Sequence, residues 1–303
     1  MTVALALFFF AAVSPEQQAV DYLANEVPQW QRENHCHSCH NNGDGARALY
    51  AAARRGYPLP AAALDDTTRW LLAPAGWDHN PGTPGFNNAK LARIQFAAAL
   101  VEAFTSGAAS RTKMIEGARL LLHDQEPDGC WKIDTGGAPG APATYGIALA
   151  TYMARQALEA ASPAEFAAPI ARANQWFSAA RQGNVLDAAA MLLAMPRSAA
   201  VRRKCLGLVL NAETSDGGWG PQMHAPAEPF DTAIVLLALH AAGGPKRTAR
   251  AAARGRAFLI ARQQPDGSWP ETTRPAGQLS YAEHISTSGW ALYALLATGA
   301  KRQ

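Results

Sequence analysis

Three segments of the chain are variants of one phrase. They read Gln125-Glu126-Pro127-Asp128-Gly129-Cys130-Trp131, Glu213-Thr214-Ser215-Asp216-Gly217-Gly218-Trp219 and Gln264-Pro265-Asp266-Gly267-Ser268-Trp269. Such self-similarity is the signature of stacked supersecondary units, each too small to bury its own apolar face. The gap between the first two phrases is nearly twice the gap between the last two. A degenerate unit fills it at Ala171 to Met195, with Asn174-Gln175-Trp176 and a short loop at Gln182-Gly183-Asn184. In each unit an apolar helix leads into the turn, and a second, more apolar helix follows a loop. The second helices read ATYGIALATYMA from Ala143, NVLDAAAMLLAM from Asn184, FDTAIVLLALHAAG from Phe230 and STSGWALYALLATG from Ser286. Thr144, Asp231 and Ser286 stand near their starts as capping residues. Glycine in the Asp-Gly pair allows the positive φ of a tight turn. The following Trp reads as a packing element, because its buried area stabilises the repeat.

Two earlier units fit the same frame. One pairs Glu16 to Trp30 with Ala46 to Arg55, across Cys36-His37-Ser38-Cys39-His40. The other pairs Leu64 to Leu72 with Asn87 to Phe104, across Trp77-Asp78-His79-Asn80. Six helical hairpins result, and the predicted class is all-α. Abundant alanine and sparse β-branched residues agree with closely packed helices. At 49% hydrophobic, 17% charged and a net charge of +3, the 303 residues exclude a disordered chain and argue against a nucleic-acid binder. The run Val3 to Val13 is too short to span a bilayer and has the length of a signal-peptide core, which predicts export, as to the periplasm. Ser14-Pro15-Glu16-Gln17 then offers an N-cap, a Pro at the first helical position and a Gln at the third. The expected layout is a signal-like segment over 1–14 and one helical domain over 15–303, with no transmembrane span.

The Gln-x-Pro-Asp-Gly-Ser/Cys-Trp phrases resemble the QW repeats of squalene-hopene cyclases and of the wider prenyltransferase and squalene-oxidase superfamily. The resemblance implies an α/α toroid, an inner ring of helices inside an outer ring, and six hairpins would close one barrel. It covers residues 110–300 well and 15–110 by pattern. It also implies a place for the catalytic acid, the middle Asp of Asp-x-Asp-Asp-Thr-Ala. The nearest match is Glu228-Pro229-Phe230-Asp231-Thr232-Ala233, with Phe230 at the acid position. Asp65-Asp66-Thr67 is a second partial match, where Ala63 replaces the first Asp, so Asp65 is a weak catalytic candidate. Asp128, with Cys130, matches part of the zinc pattern of protein prenyltransferase β-subunits. His224 or His284 would be the third ligand there.

Cys36-His37-Ser38-Cys39-His40 is the attachment pattern of c-type haem. Cys36 and Cys39 would form thioethers to the porphyrin and His40 would ligate iron as the proximal ligand. Zinc on the same residues, and a thiol redox pair, are the competing readings. The segment fills the slot of the Asp-Gly-Trp turn, which places it on one rim of the barrel. His79, Met223, His224 and His284 lie on loops of that rim as sixth-ligand candidates. His123 and His240 read as helix-face residues. Lys246, Arg247, Arg250, Arg254 and Arg256 make the last outer helix basic, either a solvated face or a dock for an acidic redox partner protein. The leading expectation is therefore an exported haem c protein of electron transfer. An isoprenoid cyclase-like or prenyltransferase-like enzyme using an apolar barrel cavity is the alternative, and a non-catalytic lipid- or protein-binding module is the third. Whether the chain is an enzyme stays open at this point.

Overall fold

The computed structural model describes residues 13–80, 88–244, 246–272, 274 and 280–300, and among these the chain is helical without strands. Twelve α-helices alternate between two layers. The outer ones are α1 (Pro15–Asn34), α3 (Asp65–Leu71), α5 (Arg111–Leu120), α7 (Ala167–Ala179), α9 (Ala199–Asn211) and α11 (Lys246–Arg262). The inner ones are α2 (Ala46–Arg54), α4 (Ala89–Thr105), α6 (Ile147–Ala161), α8 (Val185–Ala194), α10 (Pro229–Ala242) and α12 (Tyr281–Thr298). Each inner helix packs on the next, and α12 returns to α2, so the six inner helices close a ring. The fold is an α/α toroid of six hairpins.

The two rings follow from residue pattern. An outer helix needs one apolar stripe, and α9 buries Val201, Cys205 and Val209, one turn apart, while its basic residues face water. An inner helix is enclosed on all sides. Accordingly α10 is buried from Pro229 through Leu239, and α8 from Val185 to Ala194 except at Asp187. Alanine supplies the close approach, since a ring of six helices leaves little room along its axis.

The repeated Trp is the rivet between the rings. Its indole N–H donates to a carbonyl at the end of its own outer helix: Trp131 to Leu121 at 2.8 Å, Trp219 to Val209 and Trp269 to Leu259 at 2.7 Å. Its backbone N–H donates to a hydroxyl of the following inner helix: Thr151 at 3.0 Å, Thr232 at 2.9 Å and Ser288 at 3.0 Å. All three indoles are fully buried. Each removes ~200 Å² from water, a gross gain of about 5 kcal/mol before entropy is charged against it. In the second hairpin Trp77 reaches the Trp70 carbonyl at 3.2 Å and fills the space left by Gly117.

Helix α1 starts as its sequence dictates, with Ser14 accepting from the Gln17 N–H at 3.2 Å and Pro15 at the first position. The other expected caps are corrected. Ser280 caps α12 by accepting from the Glu283 N–H at 3.1 Å, and Gly146 precedes α6 at φ 76°. Helix α10 has no side-chain cap, and Asp231 lies within its first turn. Thr144 closes a turn on the Ala141 N–H instead. Of α6, α10 and α12, only α12 therefore has a side-chain cap, and Ser280 rather than Ser286 supplies it. The signal-like run, apart from Val13, falls outside the described residues. No helix among the described residues is long and apolar enough to cross a membrane.

Candidate functional site: the lumen and its mouth

Residues Cys39–Gly45 form a π-helical segment that runs directly into α2 and packs against α4 and α12. Its small residues are contact surfaces. A Cβ on Gly43 would lie 2.8 Å from Cβ of Gln95, and a Cβ on Gly289 of α12 would lie 2.7 Å from the Asp44 carbonyl. The segment is fastened by side chains as well. Ser38 Oγ accepts from the His40 N–H at 3.1 Å, Asn42 donates to Thr67 Oγ1 at 2.7 Å, and Asn41 donates to the Glu26 carbonyl at 3.0 Å. The Asn-Asn-Gly that follows the Cys-His motif is thus the close-packed start of the first inner wall.

This wall carries Asp44 and Arg47 into the ring. Asp44 is fully buried and accepts from the Tyr145 hydroxyl on one oxygen and from Gln95 Nε2 at 2.8 Å on the other. Burial, then Asp44, raises Tyr145 well above the ordinary phenol range, so the phenol keeps its proton. Arg47 is 3% exposed, and its guanidinium lies 3.7 Å over the Trp290 ring and 4.7 Å from the Tyr293 centroid. Burial opposes its charge, but Tyr145, Asp44, Tyr293 and Glu102 together raise it above its ordinary value. Tyr293 in turn donates to Glu102 at 2.6 Å, and Arg54 meets the other Glu102 oxygen at 3.2 Å. Beside Arg47, Glu102, Trp290 and Tyr293 lies a cavity of ≈ 40 Å³, walled further by apolar side chains of α4, α6, α8 and α10.

A second polar cluster stands where α6, α10 and α12 begin. Asp231 is fully buried and accepts from Arg274 Nη2 at 2.7 Å on Oδ1, while Oδ2 makes no hydrogen bond among the described residues. Arg274 also donates to Glu228, and to the Gly140 carbonyl at 3.0 Å. Glu283, 3% exposed, stands in the same cluster with Thr272 as its side-chain partner. Burial pushes Asp231 up to about 7 against the pull of Arg274, and burial likewise pushes Glu283 up to about 7. Both carboxyls are therefore partly protonated at neutral pH. Phe230, one residue before Asp231, lies edge-on to Trp290 at 6.1 Å, and Tyr145 lies edge-on to it at 5.7 Å.

The residues singled out from sequence are scattered. Cys36 Sγ accepts from the Trp30 indole at 3.3 Å, and burial raises Cys39 to about 12. His40 Nδ1 is 2.8 Å from Ser286 Oγ, and burial lowers its pKa. Of the proposed sixth ligands, His284 Nδ1 is 2.8 Å from Glu271 Oε2. His79, Met223 and His224 are exposed. Asp65 is exposed in the first turn of α3, where the helix dipole favours it. Asp128 is exposed and accepts from the Cys130 N–H at 3.1 Å, a local turn. Among the described residues no three His, Cys, Asp or Glu side chains gather as a metal site. Asp44, Arg47, Gln95, Tyr145, Glu283 and Trp290 escaped the sequence reading. The signal for three of them was available: Arg47, Gln95 and Glu283 are polar residues inside inner helices, where each demands a reason.

By sequence the chain matches no protein-family model and no curated protein. By structure it is similar to ent-copalyl diphosphate synthase from Streptomyces platensis, at 18% identity and a TM-score of 0.55, covering 94% of this chain and 50% of that one. It thus spans about half the length of that synthase. It is similar along almost the full length of the type II terpene cyclase MstE from Scytonema, at 14% identity and a TM-score of 0.57, with 94% and 98% covered. That cyclase is also solved with geranylgeranyl dihydroxybenzoate as substrate. A protein from Actinoplanes matches at 15% identity and a TM-score of 0.59, with 94% and 100% covered. The likeness establishes the squalene-hopene cyclase-like toroid. The expectation of a haem c, cytochrome-like electron-transfer protein is corrected by it. The solved structures that share the whole ring include terpene cyclases, and here the Cys-His segment serves as inner wall, its three candidate groups engaged with Trp30, the core and Ser286.

Proposed function

We propose that the chain is an isoprenoid-handling enzyme of the type II terpene cyclase kind, in which a buried carboxylic acid starts the reaction. The observation that carries this reading is Asp231. It sits in the first turn of an inner helix, fully buried, one oxygen on Arg274 and the other unpartnered, poised near neutral pH. Such an acid can give a proton to an alkene, forming a C–H bond at one carbon and a carbocation at its neighbour. The carboxylate left behind gains the full attraction of Arg274. The aromatic faces of Trp290, Phe230 and Tyr145 suit a cation that migrates down the ring. Ring closure consumes a further alkene, and loss of a proton from the final cation restores the balance. What terpene cyclases of this fold turn over supports an apolar, isoprenoid substrate.

The test is turnover. Purified protein incubated with C15 to C30 polyprenyl alcohols and hydrocarbons is expected to yield cyclised isomers of unchanged mass by gas chromatography. Asp231→Asn keeps the shape and one hydrogen bond but lacks the acid, and should lower the rate by roughly 10²–10⁴-fold. Cyclisation at wild-type rate by Asp231→Asn would remove the assignment. Phe230, standing where the cyclases carry their acid, favours a second reading, a binding module that holds an isoprenoid without converting it. Retention of ligand with no product from any substrate would select it.

A further inference from the structure

The luminal cavity is bordered by guanidinium donors that have no acceptor of their own. Arg47 Nε and Arg47 Nη2 are buried N–H groups without an acceptor among the described residues, whereas the Trp290 indole N–H faces the Tyr145 hydroxyl. The remaining guanidinium nitrogen, Nη1, has only the Met153 sulfur at 3.5 Å. Orphaned buried donors of this kind are rare, because each has given up its hydration for nothing unless something accepts from it. Two independent features sit together: Arg47, stacked on Trp290, presents the donors, and the ≈ 40 Å³ cavity opens against both residues. That volume has room for a water or two, or for the oxygen of a ligand head group. Gln156 and Tyr152 add polar groups to the wall, and Ala98, Val101, Ala157, Leu193 and Leu237 make the rest of it apolar.

Charge decides what kind of oxygen is wanted. Arg47 already has two carboxylates within its field, Asp44 and Glu102, and Arg54 meets Glu102 from the outside. Two cations and two carboxylates leave the neighbourhood neutral. An anionic head group would therefore enter a balanced, buried site and carry its desolvation cost without a free countercharge. A hydroxyl, ether or carbonyl oxygen takes the idle N–H groups at no such cost. We infer that this cavity is a recognition subsite for the neutral oxygen of an apolar, oxygen-bearing isoprenoid, and that Arg47 is its specificity determinant. This rests on the isoprenoid reading above and narrows it, against pure hydrocarbons on one side and diphosphates on the other.

The experiment compares three C15 probes that differ in one end only: farnesol, farnesene and farnesyl diphosphate. Binding to the intact protein is measured by titration calorimetry. The expected result is farnesol at least tenfold tighter than either other probe. Arg47→Met, which keeps the length and removes the donors, should bring farnesol to within about twofold of farnesene while leaving farnesene unchanged. Arg47→Lys keeps the charge and a single donor head, should narrow the preference by a smaller factor, and serves if Arg47→Met does not fold. Equal binding of farnesol and farnesene, tightest binding of the diphosphate, or an unchanged preference in both variants would overturn the assignment. Product analysis on the same samples separates the two claims. A farnesol preference without product leaves the subsite standing and removes the cyclase reading, whereas product without the preference does the reverse. If no isoprenoid binds, 1-dodecanol against dodecane decides: a preference for the alcohol retains the acceptor site alone, and no preference sinks both.

Discussion

Asp231 and Glu283 titrate in the opposite sense to most protein carboxylates. Their unfolded values are those of ordinary Asp and Glu, near 4, and their folded values are both about 7. Between these values the native state binds more protons than the unfolded chain, so stability falls as pH rises. The loss begins above about pH 4 and is complete above about pH 7. A surface Asp paired with Arg has the reverse behaviour. The expected observation is a melting temperature that drops between pH 5 and pH 8 in the wild type and drops less in Asp231→Asn, because the amide has no proton to lose. His37 works against this trend at lower pH. It stacks on Trp70 at 4.3 Å, and burial and Arg69 depress it to about 4, so its neutral form is the native one and acid destabilises it from about pH 6.5 down to 4. Differential scanning fluorimetry across pH 4–9 on both proteins checks the Asp231 contribution, and equal slopes would remove it. The residue scale is also where sequence reading stops. That Asp231 is an inner-helix residue was legible from the repeat, but its pairing with Arg274, 43 positions later, was not, because the loop that delivers Arg274 has no repeat grammar.

At the scale of elements, the Asp-Gly-Trp turns were legible because one sequence phrase encodes one set of contacts. The Trp lies ten residues after the carbonyl that accepts its indole N–H in each case, and a Thr or Ser of the next helix takes its backbone N–H. The Cys-His segment misled for the complementary reason. Two cysteines and a histidine at haem spacing satisfy a motif by identity, whereas the fold uses Gly43, Asn41, Asn42 and Asp44 of the same stretch for close packing between α4 and α12. The motif's Cys and His are buried beside that packing, with His40 held by Ser286 of α12. Cys36→Ala with Cys39→Ala is accordingly expected to fold, with a melting temperature a few degrees lower through two trimmed thiols, and to retain binding and turnover of isoprenoids. Circular dichroism and the product assay check this together, and loss of turnover in a folded double variant would return the thiols to the chemistry. Gly43→Val, by contrast, drives a branched side chain into Gln95 at a site with no room, and should abolish the folded state.

For the whole molecule the decisive question is how the ring closes. In an open solenoid each repeat touches only its neighbours, so the terminal unit unfolds first and alone. Here the last turn meets the first helix through the joint used inside the array. Gly129, in the first Asp-Gly turn, lies against Arg172 of α7, where an added Cβ would be 2.4 Å from the carbonyl oxygen; Gly267, in the last, lies against Gln18 of α1, where it would be 2.2 Å. Gln263 donates to the Pro15 carbonyl at 2.8 Å, and Arg256 pairs with Glu16, across the same seam. No hairpin is then terminal, and each is held from both sides. Gly267→Ala places a Cβ on a residue at φ 95° and into the Gln18 backbone, a strain and overpacking cost of roughly 2–4 kcal/mol. Gly207→Ala is the control, since nothing lies within 4 Å of its added Cβ on α9 and helix propensity improves. For a closed ring, Gly267→Ala lowers a single calorimetric transition by several degrees with no new shoulder, because the seam holds the first and last hairpins and through them the whole circuit. For a solenoid that merely curls, the same substitution splits off an early transition belonging to α11, α12 and the loop between them. Scanning calorimetry of the two variants beside the wild type distinguishes these outcomes, and the contacts across the seam place the expectation on the single transition.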